Sequence, residues 1–354
     1  MASLTRARRR GRFAVAALAV AASLAGAGAI PAAPAGAAPR SDAGNRPPVA
    51  GFVWRDGRFT TFDARGAELE TVAAGINDRG RIAGTSVDGH RRAHAFVRTH
   101  RTLRTLGTRS GPHRPRDRRF DVPGASTTDA SAFLNYPGTG AFDINDRDEI
   151  VGTYTGPGGT ARGFVRDARG HITTFAVPGA VETFAAGLDN RGQVVGTYLG
   201  TDGLPHSFLR DVHGRVTTVD PPEGALAIAV FDIDDRGRMV GTYYRSPQAA
   251  RGFVRDARGN VTTFDAPGSA GVTAATGING DGEVVGQYQD GDGASHGFLR
   301  TGRGRFRTVD VPGNNGFSVP FHLNDRTEIV GAYLRPGAAD PSTPPAPDML
   351  TMTP

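Results

Sequence analysis

The amino-acid sequence predicts an all-β fold, a six-bladed β-propeller with about 45 residues per blade. Two motifs recur along the chain with one shared period. The first motif runs from Gly75 to Gly84, and its closing glycine returns at positions 84, 152, 196, 241, 286 and 331. The second is Gly-Phe-Val-Arg-Asp, whose phenylalanine returns at positions 52, 96, 164, 208, 253 and 298. The steps are 44 or 45 residues except for a single step of 68 in each series.

Each repeat contains four short segments that favour β-strands, because they are rich in Val, Ile, Thr, Tyr and Phe. Turn sequences such as Asn-Asp-Arg-Gly and Pro-Gly separate these segments. The first segment is the smallest, as in Ala185-Ala186-Gly187. Small residues suit the crowded centre of a propeller, so we expect this strand to be innermost and the Thr-Thr-Phe strand to be outermost.

The two ends of the repeat region complement each other. The region opens with the last two strands of a repeat, near residues 51–53 and 59–62. It closes with the first two strands of a repeat, near residues 317–323 and 328–334. We therefore expect the N- and C-terminal strands to share the closing blade, which removes exposed sheet edges. A β-solenoid is the alternative, but its coils are usually shorter and need no complementary ends.

The segments outside the repeats predict the location of the protein. Residues 1–37 combine five arginines, an apolar run and an Ala-Gly-Ala cleavage motif, and indicate a Sec-type signal peptide of a secreted bacterial protein. An uncleaved membrane anchor is the alternative; after cleavage, no membrane span is expected. Residues 38–50 indicate a linker, 51–334 the propeller, and 335–354 a disordered tail.

The repeat motifs resemble those of the HAF-type extracellular repeat family. The His-Ala-Phe segment is His94-Ala95-Phe96, with variants at 206–208 and 296–298. The Gly-Ile-Asn-x-x-Gly-x-Val-Val-Gly motif stands at 277–286. The resemblance covers nearly all of residues 51–334 and implies secretion and a repeat fold. It implies no reaction and supplies no catalytic residues.

Composition excludes several kinds of chemistry. The chain has no Cys, which rules out disulfides, thiolate zinc sites and a cysteine nucleophile. It also has no Lys, so all 41 basic residues are Arg, and Schiff-base chemistry and Walker-type phosphate loops are excluded. We expect no cofactor and assign no metal ligand.

The long step in the repeat comes from insertions near residues 100–117 and 124–140. The surrounding segment 91–119 holds ten Arg and one acid, Asp117. This charge favours binding of an anionic polysaccharide or cell-wall polymer, with Arg109, Arg114, Arg116, Arg118 and Arg119 as candidates. Nucleic acid is disfavoured, because aromatic residues for base stacking are missing. The alternative is a solvated loop without a ligand.

Other departures from the repeat mark further candidates. Asp143, Asp232 and His322 replace the leading glycine of the first motif. Asp143 and Asp232 are the acid candidates for glycosidic or lyase chemistry. They belong to blades that are not adjacent, so we expect them to be local hydrogen-bond acceptors. A second set of candidates consists of the residues that stand two positions before the motif phenylalanine. We expect their side chains to form hydrogen bonds with turn carbonyls of the same blade. These residues are His94, Arg162, His206, Arg251 and His296.

These observations favour a secreted, non-enzymatic propeller that binds a ligand or acts as a scaffold. The alternative is a carbohydrate-active hydrolase or lyase whose site lies on the loop-rich face. That alternative requires two carboxylates about 5–10 Å apart in one pocket, with Arg nearby.

Overall fold

The computed structural model describes residues 48–99, 116–128, 136–221, 224–246, 249–314 and 316–336. These residues form 24 β-strands and no helix. The predicted signal peptide, most of the predicted linker and nearly all of the predicted tail lie outside them. The first strand begins at Val49, two residues before the predicted start of the repeat region. Across the described ranges, no helix is long and apolar enough to cross a membrane.

Within the described residues the strands form two eight-stranded and two four-stranded sheets. Antiparallel pairing divides them into six groups of four strands, which we call units, and one parallel residue pair joins two units in each eight-stranded sheet. The first unit contains β3 (Glu70–Ile76), β4 (Arg81–Val87), β5 (Ala93–Thr99) and β6 (Arg116–Phe120). The second contains β7 (Thr139–Ile144), β8 (Ile150–Thr155), β9 (Ala161–Arg166) and β10 (Ile172–Phe175). The third contains β11 (Glu182–Leu188), β12 (Val194–Leu199), β13 (Pro205–Arg210) and β14 (Val216–Val219).

The remaining three units follow the same order. The fourth contains β15 (Ala227–Ile233), β16 (Met239–Ser246), β17 (Ala249–Arg255) and β18 (Val261–Phe264). The fifth contains β19 (Val272–Ile278), β20 (Val284–Gln289), β21 (Ser295–Arg300) and β22 (Phe306–Thr308). The closing unit combines both ends of the chain: β23 (Ser318–Leu323), β24 (Ile329–Leu334), β1 (Val49–Arg55) and β2 (Arg58–Phe62). Its order is β23-β24-β1-β2, because β1 pairs with both β24 and β2.

The two sequence motifs meet across the second and third strands of each unit. In the first unit, Gly84 stands directly opposite Phe96. A Cβ at Gly84 would lie 2.1 Å from the Val72 carbonyl oxygen and 2.7 Å from the Phe96 phenyl ring. Only glycine lets the fully buried phenylalanine lie flat over the sheet at this point. The equivalent glycine of every unit has the same surroundings, which explains why both motifs have one period.

The first strand of each unit is buried along all or nearly all of its length, as its small residues predict. β3, β7, β11 and β15 are buried along their whole length. The first strands contact one another in succession from β3 to β23, and β23 contacts β3. Together these strands surround a central line, which we call the axis. The largest apolar cluster fills part of it, so the core of the molecule is central.

Turn residues link each unit to the next. The Asn77 side chain oxygen accepts the amide N–H groups of Arg79 and Arg81, which closes its own turn around Gly80 at φ 70°. The Asn77 side chain also donates to the Asn145 carbonyl of the second unit, at 3.0 Å. Asn324 in the closing unit donates in the same way to the Asn77 carbonyl, at 3.0 Å. The closing unit is therefore bonded to the first unit by the same contact that joins the first unit to the second.

Candidate functional site

Three polar side chains meet on the axis: Asp143 from β7, Asp232 from β15 and His322 from β23. We call these residues the axial triad. Each follows a β-bulge, where the register with the second strand shifts by one residue. His322 Nε2 lies 3.4 Å from Asp143 Oδ1 and 3.3 Å from Asp232 Oδ2. The side chains of Asp143, Asp232 and His322 are only 4%, 2% and 13% exposed.

This meeting corrects one expectation from the sequence. The two aspartates come from units that are not adjacent, and we expected them to serve only their own turns. Asp143 does accept the amide N–H of the next residue, Ile144, at 2.7 Å. The bulges also direct both carboxylates toward the axis, so residues from alternate units share one site.

Glycines on the other three units make room for the triad. The position that holds a triad residue in one unit holds Gly75, Gly187 or Gly277 in the next. A Cβ at Gly75 would lie 2.6 Å from Asp143 Cα, and one at Gly187 would lie 2.8 Å from Asp232 Cα. Glycine and polar residues therefore alternate around the axis because there is space for only three side chains.

Each triad residue also bonds to the neighbouring unit. Asp143 Oδ2 accepts the amide N–H of Leu188 at 3.0 Å, and Asp232 Oδ2 accepts that of Ile278 at 2.8 Å. His322 Nδ1 accepts the amide N–H of Ile76 at 3.3 Å. All three amides follow the alternating glycines directly. The triad thus connects the six units in three pairs.

The triad concentrates charge in a buried place. Burial raises the pKa of the Asp143 carboxyl to about 6; His322 lowers it and Asp232 raises it. Burial disfavours a charged His322, but the two carboxylates outweigh this effect and raise the imidazole pKa above its ordinary value. The Ile76 amide opposes a second proton on the imidazole, because a protonated Nδ1 would place two donors face to face. In either protonation state Nε2 carries a proton and points between the carboxylates.

The same contact decides against a metal ion. The nitrogen and oxygen atoms of the triad lie within 4.8 Å of one another, close enough to surround a cation. A histidine that binds a metal through Nε2 normally donates from Nδ1 to an acceptor. Here Nδ1 accepts from Ile76 instead, so Nε2 holds a proton and has no lone pair for a metal. We therefore interpret the triad as a hydrogen-bond network.

The space beside the triad is small. The cavity has a volume of about 30 Å³, which accommodates one or two water molecules. Pockets that bind small molecules usually measure about 300–1,000 Å³. Besides the triad, the wall consists of Ala74, Phe142, Phe184, Ala186, Phe231, Thr276 and Phe321. No arginine is found among the described residues that line it, whereas the alternative of a carbohydrate-active enzyme predicted an arginine near the carboxylate pair.

The second set of candidates lies away from the axis, as expected, but its partners differ from the expected carbonyls. His94 contacts the carboxylates of Asp88 and Asp121 in its own unit, at 3.1 and 2.9 Å. His296 lies in the same way between Asp290 and Asp310. These carboxylates raise the pKa of both imidazoles. The pairs are partly exposed and stabilise the loops of single units.

The basic candidates lie on the outermost strand of the first unit. Arg118 and Arg119 are exposed on β6, and Arg116 begins that strand opposite Thr99. Arg109 and Arg114 lie outside the described residues. The only acid of the segment, Asp117, accepts the Arg65 amide N–H at 3.0 Å and lies 3.5 Å from Arg98. Within the described part of the chain, neither Arg118 nor Arg119 forms an ion pair with a carboxylate.

One buried pair escaped the sequence analysis. The Tyr136 hydroxyl, from the second insertion, donates to Glu70 Oε1 at 2.8 Å. Burial raises the pKa of the Glu70 carboxyl to about 7, against smaller lowering effects of Tyr136 and Arg91. The guanidinium of Arg91 lies over the Tyr136 phenol ring, 5.3 Å from its centre. An acid at the start of an innermost strand that carries no other charge is the signal that could have revealed this pair.

Comparisons with known proteins give only distant structural matches. No protein-family model matches the chain, and no curated protein sequence matches it. TolB from Acinetobacter baumannii aligns with 17% identity and a TM-score of 0.49, over 73% of this chain and 62% of TolB. A catalytically inactive virginiamycin B lyase from Staphylococcus aureus, solved with quinupristin, aligns with 10% identity and a TM-score of 0.41, over 79% and 85%. Aleuria aurantia lectin, in complex with alpha-methyl-L-fucoside, aligns with 11% identity and a TM-score of 0.41, over 72% and 84%. At these values the matches transfer neither an activity nor a ligand to this chain.

Proposed function

We propose that this protein is a secreted, non-enzymatic β-propeller of the HAF-type repeat class that binds an anionic extracellular polymer on its outer surface. The observation that carries the proposal is the filled axis. The buried carboxylate pair lies beside a cavity of about 30 Å³, and every triad oxygen or nitrogen has a hydrogen-bond partner within the protein. A ligand of polymer size therefore has to bind outside.

The proposal includes a closed arrangement of six blades. Four contacts made by the closing unit or within it support this arrangement. β1 pairs with β24 over six residue pairs, which joins the ends in one unit. The guanidinium of Arg307 lies 5.0 Å from the centre of the Trp54 indole ring and joins the fifth unit to the closing unit. His322 and Asn324 then bond to the first unit.

The basic surface of β6 is the proposed binding region. Arg118 and Arg119 are exposed, and the positive charge of Arg118 acts on Arg166 in the second unit. Like charges held close together on one surface favour a polyanion, which supplies the missing counter-charges. The unpaired state of both guanidiniums means that a ligand does not have to break an existing ion pair.

The second candidate function is purely architectural. The partly exposed ion pairs that join loops within single units favour it. It requires no ligand. The two functions differ in whether the basic surface of β6 contributes to binding.

Retention on immobilised polygalacturonate at low salt separates them. We compare the parent with Arg118→Ser/Arg119→Ser and with a control of equal charge, Arg169→Ser/Arg258→Ser. Both control arginines are exposed in turns of other units. Exposed charge pairs contribute about 0.2–1 kcal/mol each, so the β6 variant is expected to bind about 2- to 30-fold more weakly. Equal retention of all three proteins would contradict polymer binding at β6 and favour the architectural function.

A further inference from the structure

We propose that the axial triad holds the closing unit to the other units in a proton-dependent way. The contact is stable while one carboxyl group of the triad carries a proton, and it weakens when that proton leaves. The triad is the only place among the described residues where three alternate units touch through titratable side chains. His322 belongs to the closing unit, whereas both aspartates belong to the continuous part of the chain.

The geometry explains why a histidine stands in the closing unit. Three aspartates on the axis would provide acceptors only, and their charges would repel one another. His322 accepts the Ile76 amide through Nδ1, in the same way as the aspartates accept their amides. Its Nε2–H additionally donates toward both carboxylates, at 3.4 and 3.3 Å. The triad thus has one donor for two carboxylates.

One donor does not suffice when both carboxylates are ionised. The two Nε2 distances exceed the usual 2.7–2.9 Å of a charge-assisted hydrogen bond, so the shared proton compensates each carboxylate only in part. A second proton on a carboxyl group removes the repulsion and adds an O–H donor. When this proton leaves, two carboxylates share the single Nε2–H donor beside a cavity that holds one or two water molecules.

No other charged side chain lines the cavity to replace that proton. The side chains that face the triad from β3, β11 and β19 are Ala74, Phe184, Ala186 and Thr276. From β7, β15 and β23, Phe142, Phe231 and Phe321 face it. In the adjoining turns, Asp234 pairs with Arg238, and Asp189 Oδ1 accepts the amides of Arg191 and Gln193. Burial raises the pKa of the Asp189 carboxyl, whose Oδ2 has no hydrogen-bond partner among the described residues, but Asp189 does not line the cavity. The charge of the triad therefore depends on its own protons.

The test measures unfolding by urea at pH 5 and pH 8 in a Glu70→Gln background, because Glu70 titrates in the same range. The Asp143 pKa of about 6 stands above its ordinary 3.8. Two pKa units correspond to about a hundredfold change in the unfolding equilibrium constant. Because about half of this change has already occurred at pH 5, we expect the Glu70→Gln protein to unfold about tenfold more readily at pH 8 than at pH 5. With Asp143→Asn added, the ratio should fall to about threefold or less, since the amide carries no charge at any pH. Asp56→Asn, an exposed control in the turn between β1 and β2, should leave the ratio unchanged.

Amide hydrogen exchange of the unmutated chain gives a second readout if a variant does not fold. The Ile76, Leu188 and Ile278 amides should lose protection from pH 5 to pH 8, after correction for intrinsic exchange, more than the Phe96 amide in β5. Equal pH ratios with and without Asp143→Asn, or equal loss of protection at all four amides, would overturn the proposal. One equivalent of a divalent metal in the purified chain, absent from Asp143→Asn, would overturn it as well.

Discussion

Replacing His322 with phenylalanine tests the triad most severely. The change keeps an aromatic side chain of similar size but removes the Nε2–H that points between Asp143 and Asp232. It also leaves the Ile76 amide without its acceptor. Removing one partner from a buried charged network costs about 3–5 kcal/mol, because the remaining charges stay buried without compensation. We expect a loss of this size in the free energy of unfolding at pH 8.

The assay is urea unfolding followed by circular dichroism, with His296→Phe as the matched control. His296 also lies between two carboxylates, but its side chain is 30% exposed and its partners reach water. The control should therefore lose about 1 kcal/mol or less. Adding Asp232→Asn to His322→Phe should recover part of the loss, since it removes one of the two buried charges that lost their donor. Equal losses in the His322 and His296 variants would refute the account of the triad as a buried network.

Three further predictions concern other parts of the fold. Glu70 has a pKa near 7 in the folded protein and 4.5 ordinarily, so its contribution to stability is complete below about pH 4.5 and is lost as pH rises through 7. In urea titrations, Glu70→Gln should therefore gain stability relative to the parent between pH 5 and pH 8, by up to about 3 kcal/mol. In thermal unfolding, Gly286→Ala should lower the stability by about 2 kcal/mol or more, because its Cβ would lie 2.0 Å from the Ala274 carbonyl oxygen and 2.7 Å from the Phe298 phenyl ring. The control Gly291→Ala should be nearly neutral, because its Cβ meets nothing within 4 Å. Arg307→Gln should cost about 0.5–1 kcal/mol and shift the fluorescence of Trp54, the only tryptophan of the chain; an unchanged spectrum would show that the fifth and closing units do not meet there.

The repeat could be predicted from the sequence because the glycine of one motif and the phenylalanine of the other form a single contact. The closing glycine and the motif phenylalanine stand opposite each other in every unit, so selection for the contact preserves both residues at one period. The burial of the first strand also followed from its small residues. The strand pairing between β1 and β24 was predictable because each chain end carries the half that the other lacks.

The axial triad could not be predicted from the same motifs. Asp143 and Asp232 are 89 residues apart, and their meeting depends on the width of the axis and on the bulges, which no local pattern reveals. A signal was nevertheless present. Phe-Asp at 142–143 and 231–232 and Phe-His at 321–322 alternate with Ala-Gly or Thr-Gly in the other units. Alternation with a period of two units indicates side chains that compete for one central space.

The central claim is that the axis is too narrow for a polymer and that ligands bind on the outer surface at β6. Hydrogen exchange of the full chain with and without polygalacturonate tests it directly. We predict slower exchange around Arg118 and Arg119 in β6 and around Arg166 in β9, with no change at the Leu188 and Ile278 amides beside the triad. Protection at those axial amides, with β6 unaffected, would contradict the claim.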